Sequence, residues 1–144
     1  MTTLFIGSDH AGFETKQYII EALTTLKLNI VDVGTFDDKS CHYPLIAKKV
    51  CTEVLNCKHS YGILLCGTGI GMSIAANRIK NIRCGLVYCH ESSKMAKKHN
   101  NCNVISLGAR FFKKKEILDM IDAFLNTDFE GTERHQKRID MLEN

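Results

Sequence analysis

A cysteine that could act as a base or a nucleophile ends an apolar run in the middle of the chain. The run, residues 62–66, reads Gly-Ile-Leu-Leu-Cys, and residues 67–71 then read Gly-Thr-Gly-Ile-Gly. The apolar run is typical of a buried parallel strand, and a helical pattern begins at Ile70. A helix N-terminus offers free amide donors and a positive dipole end, which favour a thiolate. We therefore predict that Cys66 abstracts a proton from, or attacks, an anionic or oxyanion-forming substrate.

Polar residues also follow two other predicted strands. Asp9 and His10 come after the first strand, and Arg110 comes after the last one. Because the carboxyl ends of parallel strands carry the ligand sites in such folds, we expect these residues to meet Cys66 at one edge. His10 has the chemistry to bind a phosphate or hydroxyl. Asp9 is a candidate for orienting a proton, with capping of the first helix as its ordinary alternative.

Two groups towards the C-terminus have both functional and ordinary interpretations. His99 has the chemistry of a general acid–base and Asn100 that of a hydroxyl ligand, but this polar segment is also typical of a helix end and turn. Arg134 and Arg138 are four residues apart and share one helix face. They form either a phosphate clamp, which the forked guanidinium donors favour, or a solvated tail.

Strand-like and helix-like segments alternate along the chain. The predicted strands are 4–8, 28–33, 61–65, 82–87 and 103–107, and the predicted helices are 13–26, one beginning near Pro44, 70–78, 92–99, 116–125 and 132–142. Such alternation predicts an α/β fold: a three-layer αβα Rossmann-like domain with a five-stranded parallel sheet. We expect one domain, residues 1–144.

Composition narrows the function. The net charge of +3, without a basic block, argues against nucleic-acid binding, and no apolar run reaches membrane-spanning length. The seven cysteines form no C-x-x-C pair, so a zinc ribbon or a thioredoxin motif is not expected. We predict no metal and no cofactor. Because no leader-like segment stands at the start, we expect a cytoplasmic protein with free thiols.

Motifs spread over nearly the whole chain resemble the ribose-5-phosphate isomerase B family, which also holds allose-6-phosphate and galactose-6-phosphate isomerases. The motifs are residues 7–13, Tyr43-Pro44, 62–77, 96–100, 103–110, 129–131, Arg134-His135 and Arg138. The resemblance implies a strand order near 2-1-3-5-4. It also implies reversible interconversion of ribose 5-phosphate and ribulose 5-phosphate through an enediolate, a step of the pentose phosphate pathway. A hexose 6-phosphate substrate of the allose or galactose type is the alternative.

The resemblance also implies roles for the catalytic residues. Cys66 is the base, because the position at which another branch of the family carries a glutamate is Met72 here. His99 opens the sugar ring with help from Asp9, and Thr68 lies close to the reacting oxygens. The backbone amides that hold the enediolate oxygen are those of Gly67, Thr68, Gly69, Ile70 and Gly71.

The resemblance further implies how the substrate is held. Tyr43 and Asn100 contact the sugar, and Arg110 lines the site. The phosphate ligands are His10, Arg134 and Arg138. The family site is shared between two subunits of a homodimer, in some cases paired into a tetramer. His99 and the arginines come from the partner, and the C-terminal helix, about 130–143, is expected to pack on that partner.

Two positions depart from the family pattern: His42 stands where an acid usually precedes Tyr43, and the segment before Arg134 is one residue longer. Two other functions remain open. The glycines resemble a dinucleotide loop whose third glycine would fall at Met72, with Glu91 at a suitable distance for a ribose-binding acid. The chain could also bind sugar phosphates without catalysis, although mere binding needs neither a thiol nor His99.

Overall fold

The computed structural model describes residues 1–143, in which strands and helices alternate as predicted. The strands are β1 (Thr2–Ser8), β2 (Leu28–Gly34), β3 (Ser60–Cys66), β4 (Cys84–Leu86) and β5 (Val104–Gly108). The helices are α1 (Phe13–Leu23), α2 (Tyr43–Asn56), α3 (Ile70–Asn77), α4 (His90–Lys98), α5 (Lys114–Leu125) and α6 (Glu133–Leu142), and a 3-10 turn (His10–Gly12) precedes α1. No helix in this range is long and apolar enough to cross a membrane. The predicted domain extends to Asn144, which lies outside the described residues.

All five strands pair in parallel in the order β2-β1-β3-β5-β4, which confirms the predicted order. Strand β3 lies at the centre, between β1 and β5, and β4 forms one side of the sheet. Cys66, the last residue of β3, lies beside Gly108, the last residue of β5. The strand ends therefore define a carboxyl edge of the sheet, and the strand starts define the opposite, amino edge.

The sheet is covered on both faces, because successive side chains of each strand point in opposite directions. In β3, Ile63 and Leu65 belong to the core shared with α1 and α5, whereas Leu64 and Cys66 belong to the core shared with α2 and α3. The two cores confirm the predicted three-layer αβα fold. They also place the Cys66 side chain on the α3 side of the sheet.

The boundaries of some elements differ from the predicted ones. Strand β4 is shorter than the predicted segment 82–87, and each of its residues pairs with β5. Helix α1 ends before Thr24 rather than at residue 26. Helix α4 begins earlier than predicted, at His90, because Cys89 caps it: the Ser92 amide donates to Cys89 Sγ at 3.3 Å.

Candidate active site

Cys66 lies at the carboxyl edge, between the end of β3 and the start of α3. Its Sγ accepts a hydrogen bond from the Gly69 amide at 3.0 Å. Gly69 is the N-cap of α3, so the sulfur faces an amide donor at the positive end of a helix dipole. Cys66 is only 5% exposed, and its side chain packs in the core that the sheet shares with α2 and α3.

The glycine loop, residues 67–71, brings two of the predicted side chains together. A Cβ atom at Gly67 would lie 2.9 Å from Arg110 Nη1, and one at Gly71 would lie 2.5 Å from Tyr43 Cζ. Arg110 and Tyr43 therefore cover the two ends of the loop, and their approach requires glycine beneath them. Tyr43 reaches this place although the preceding His42 makes no side-chain cap on α2.

Two amides of the predicted oxyanion hole already donate hydrogen bonds to side chains of the glycine-loop region. The Gly69 amide donates to Cys66, and the Ile70 amide donates to Thr68 Oγ1 at 3.1 Å. The Gly69 carbonyl accepts from Ser106 Oγ at 2.7 Å, which holds the loop against β5. A substrate oxygen would have to displace the Thr68 hydroxyl to use the Ile70 amide, so Thr68 lies where the reacting oxygens are expected.

Asp9 joins the ends of β1 and β3. Its amide donates to the Leu65 carbonyl at 3.1 Å, next to Cys66. Its Oδ1 accepts from the amides of Ala11 and Gly12 at 3.0 and 3.2 Å, so Asp9 caps the 3-10 turn. The predicted capping is therefore found one turn earlier, because Gly12 and not Asp9 is the N-cap of α1. The other carboxylate oxygen, Oδ2, is the one that a catalytic role would have to use.

His10 faces the loop that follows β2. Its Nδ1 accepts a hydrogen bond from the Cys41 amide at 3.3 Å. In the neutral ring, Nδ1 is then the acceptor and Nε2 carries the hydrogen. His10 is partly exposed and so presents an N–H donor of the kind that a phosphate oxygen accepts.

The remaining predicted residues lie at the opposite edge of the sheet. Helix α4 runs from the carboxyl edge back to the amino edge, where His99 ends it and Asn100 follows. The Glu130 amide donates to the Lys98 carbonyl at 3.0 Å, which holds the segment before α6 beside this end of α4. Helix α6 carries Arg134 and Arg138, both exposed.

One chain therefore does not bring His99 to Cys66. The two edges are separated by the length of β5, which at 3.3 Å per residue is roughly 13 Å. The predicted residues divide into a carboxyl-edge group around Cys66 and an amino-edge group around His99. The amino-edge group consists of His99, Asn100, Arg134 and Arg138.

A cleft of about 910 Å³ runs along the free side of β4. It is lined by residues such as Leu86, Met95 and Leu142, and Asn100 is the one predicted site residue that lines it. Cys66 does not line this cleft. The volume of the cleft therefore does not identify it as the active site.

The geometry does not favour a dinucleotide site. Glu91, the candidate ribose-binding acid, is exposed in the first turn of α4. It follows β4, which pairs with β5 and not with β3. In dinucleotide-binding folds the acid follows the strand next to the one that carries the glycine loop. Glu91 thus follows the wrong strand for this role.

The cysteines other than Cys66 differ in their chemistry. All seven are free, as predicted. Burial raises the pKa of Cys51 to about 12 and that of Cys102 to about 11, and it raises the pKa of Cys84 well above the usual value. Hydrogen bonds with Ser92 lower the pKa of the exposed Cys89. The three buried thiols are therefore core residues.

The structure also reveals polar groups for which the sequence analysis predicted no role. Lys16 is fully buried, and its Nζ donates to Asp32 Oδ1 at 2.5 Å and to the Thr35 carbonyl at 2.7 Å. A signal existed, because Lys16 stands between Phe13 and Ile19 on the apolar stripe of α1. Glu130 and His135 contact His99, but nothing in their spacing indicated this.

Comparison with known proteins agrees with this architecture. The model of the family described as Ribose/Galactose Isomerase matches residues 4–142. A putative sugar phosphate isomerase of Rickettsia bellii is 44% identical over 140 residues, which are 97% of this chain and 96% of the relative. A probable ribose-5-phosphate isomerase B of Mycoplasma genitalium is 40% identical, with 96% of this chain and 92% of the relative covered.

A solved structure has the same fold. The ribose 5-phosphate isomerase of Thermotoga maritima superposes with a TM-score of 0.95 at 39% identity, covering 99% of this chain and 97% of that one. Identity and coverage of this extent mean that the similarity includes every strand and helix described above.

Proposed function

The chain belongs to the ribose/galactose isomerase family, and from that premise we propose that it interconverts ribose 5-phosphate and ribulose 5-phosphate. As a sugar-phosphate isomerase it moves a proton between adjacent carbons of a phosphorylated sugar. The relatives named for ribose 5-phosphate support the pentose substrate. The observation that carries the proposal is the hydrogen bond from the Gly69 amide to Cys66 Sγ at the start of α3.

Cys66 acts as the base in this proposal. Its thiolate removes the C2 proton of the open-chain aldose, and the electron pair moves to O1 to form the enediolate. The same proton returns to C1, while a proton passes from O2 to O1. A carbon acid is weak, so amides aimed at the oxyanion contribute roughly 100- to 1000-fold per donor. The Thr68 hydroxyl hydrogen-bonds to O1 and O2 in this proposal.

Ring opening comes before this step, because ribose 5-phosphate is mostly a furanose. The C1–O4 bond breaks and its electron pair goes to O4, which takes a proton from the His99 imidazolium. O1 gives its proton to Asp9 Oδ2, and the C1–O1 bond becomes the carbonyl. His99 is thus the general acid and Asp9 the general base of ring opening.

The phosphate and the hydroxyls hold the substrate in place. His10 donates from Nε2, and Arg134 and Arg138 provide forked donors from one face of α6. Tyr43, Asn100 and Arg110 contact the sugar. Binding energy from the phosphate, which is remote from the reacting carbons, contributes to orienting C1 and C2 at Cys66.

A homodimer completes the site in this proposal. The carboxyl-edge group contains the base, and the amino-edge group contains the ring-opening acid and the arginines. We infer that the amino-edge group of one subunit meets the carboxyl-edge group of the other. Ile70 and Ile74, one turn apart on α3, are 49% and 54% exposed next to the glycine loop. Burying them against a partner is favourable.

A coupled turnover assay tests the substrate. We expect a higher kcat/KM for ribose 5-phosphate than for allose 6-phosphate or galactose 6-phosphate. A preference for either hexose phosphate would overturn the pentose assignment and keep the isomerase chemistry. Tight binding of all three without turnover would contradict the enzymatic proposal itself.

A further inference from the structure

Three polar side chains meet at the amino edge, and we call them the arm cluster: His99, Glu130 and His135. Glu130 Oε2 lies 3.6 Å from His99 Nε2 and 3.6 Å from His135 Nε2. The two imidazole rings are stacked, with centroids 4.4 Å apart and an angle of 16° between their planes. One carboxylate oxygen therefore lies beside two stacked rings.

The elements around the arm cluster hold it in place. The hydrogen bond from the Glu130 amide to the Lys98 carbonyl fixes the carboxylate relative to the residue before His99. Gly131, with φ of +66°, then turns the chain into α6, which carries His135. His135 is 7% exposed, and its Nε2 is buried without a hydrogen-bond partner among the described residues.

A metal ion does not fit this geometry, although the ligand atoms of the arm cluster lie within 4.8 Å of one another. A metal bound by histidine lies close to the ring plane, at about 2.0–2.1 Å from the nitrogen. Nearly parallel stacked rings cannot both contain one ion in their planes. The cluster is therefore better suited to holding a proton than to holding a metal.

The charges around the cluster favour a neutral His135. Burial lowers the pKa of His135, and His99, Arg134 and Arg138 lower it further, while Glu130 opposes them. His135 is therefore the ring that stays neutral, and the Glu130 carboxylate faces His99 Nε2 at 3.6 Å.

We propose that Glu130 and His135 are positioning residues for His99 in the opening of the sugar ring. The carboxylate stabilises the imidazolium that gives its proton to O4, and the stacked ring of His135 holds the plane of His99. This inference rests on the proposed function, since it assigns partners to its ring-opening acid. It adds no further reactant: the C1–O4 bond breaks, and the proton lost from O1 balances the one gained by O4.

The two steps of the reaction can be measured separately. Ribulose 5-phosphate has no ring form, because O5 carries the phosphate. Exchange of its C1 hydrogen with D2O therefore needs Cys66 but no ring opening. Glu130→Gln should lower turnover of ribose 5-phosphate at least about tenfold, since a positioned general acid contributes roughly 100- to 10,000-fold. Exchange into ribulose 5-phosphate should stay within about twofold of the wild type in the same variant.

Matched variants complete the test. Glu130→Asp should restore part of the lost turnover, and His135→Phe, which keeps a flat ring, should retain more than His135→Ala. Glu133→Gln, on the same segment, is the control and should match the wild type.

The outcomes separate this inference from the proposed function. If Glu130→Gln leaves aldose turnover unchanged, or reduces aldose turnover and ketose exchange equally, the positioning role is wrong. If the wild type turns over no pentose phosphate, or Cys66→Ala still exchanges the C1 hydrogen, the proposed function itself is wrong.

Discussion

At the scale of single residues, the same side chain performs different tasks according to what surrounds it. Cys66 faces an amide at a helix start, Cys89 caps a helix in the open, and Cys51 lies in the core. Thiolate character, rather than the presence of sulfur, decides reactivity. The chain thus contains thiols with distinct and testable chemistry.

Alkylation at rising pH should reveal this difference. Because its pKa is lowered, Cys89 should reach its full rate with iodoacetamide at lower pH than a free thiol does. Cys51 and Cys102, with pKa values of about 12 and about 11, should remain unmodified in the folded protein. Peptide mass spectrometry with a Cys89→Ser control measures both. Equal labelling of Cys51 and Cys89 would contradict the assignment.

Two glycines of the loop should respond differently to a methyl group. Gly69 has φ of +79°, and a Cβ there would lie 2.9 Å from the Leu107 carbonyl carbon, so Gly69→Ala should lower the free energy of unfolding by about 1–3 kcal/mol. At Gly67 the clash is with the flexible end of Arg110. Gly67→Ala should therefore change KM more than stability. Urea denaturation measures the stability of the two variants, and steady-state kinetics measures their KM. Equal losses of stability in the two variants would contradict the predicted difference between Gly67 and Gly69.

At the scale of elements, an ion pair between the buried Lys16 and the partly exposed Asp32 fixes the loop that His10 contacts. Lys16 on α1 holds Asp32 on β2 and the Thr35 carbonyl just beyond it. The same loop continues to Cys41, whose amide donates to His10. The pair therefore links packing of α1 on β2 to the position of a proposed phosphate ligand.

Breaking the ion pair between Lys16 and Asp32 should lower the free energy of unfolding. Asp32→Ala leaves the buried Lys16 ammonium without its carboxylate, and removing one partner of a buried pair costs about 3–5 kcal/mol. The double variant Lys16→Met with Asp32→Ala should recover part of the loss, because no unpaired charge remains. Thermal and urea unfolding would measure this. Identical stabilities for the single and double variants would show that the pair is not coupled.

The order and type of the elements could be predicted from the sequence, because strand and helix periodicities are local properties. The apolar run before Cys66 and the glycines after it specified the strand, turn and helix correctly. The sequence did not reveal Lys16 as a buried cation, since a lysine is usually exposed. It also gave no indication of the arm cluster, because His99 lies far along the chain from Glu130 and His135 and meets them where the Glu130 amide donates to the Lys98 carbonyl.

At the scale of the whole molecule, the sheet separates the proposed acid from the proposed base. Cys66 stands at the carboxyl edge and His99 at the amino edge, and their separation follows from the parallel sheet itself. The prediction that His99 completes the partner's site came from the family resemblance, because no local pattern encodes a contact between subunits. Assembly is therefore part of the proposed catalytic mechanism.

Mixed dimers test this division. Cys66→Ala and His99→Asn homodimers should each be inactive, because neither contains a complete site. Random coexpression should give about a quarter of the wild-type activity, since half of the dimers are mixed and each has one complete site. Activity of the mixture no higher than that of the separate variants would contradict a shared site.

The most direct test of Cys66 as the base is the kcat of Cys66→Ala with ribose 5-phosphate. Cys57→Ala, at a half-buried cysteine that follows α2 at the amino edge, is the matched control. We expect Cys66→Ala to lower kcat by roughly 100- to 10,000-fold while sugar-phosphate binding, measured by calorimetry, remains. A kcat close to that of the wild type would contradict the role of Cys66 as the base.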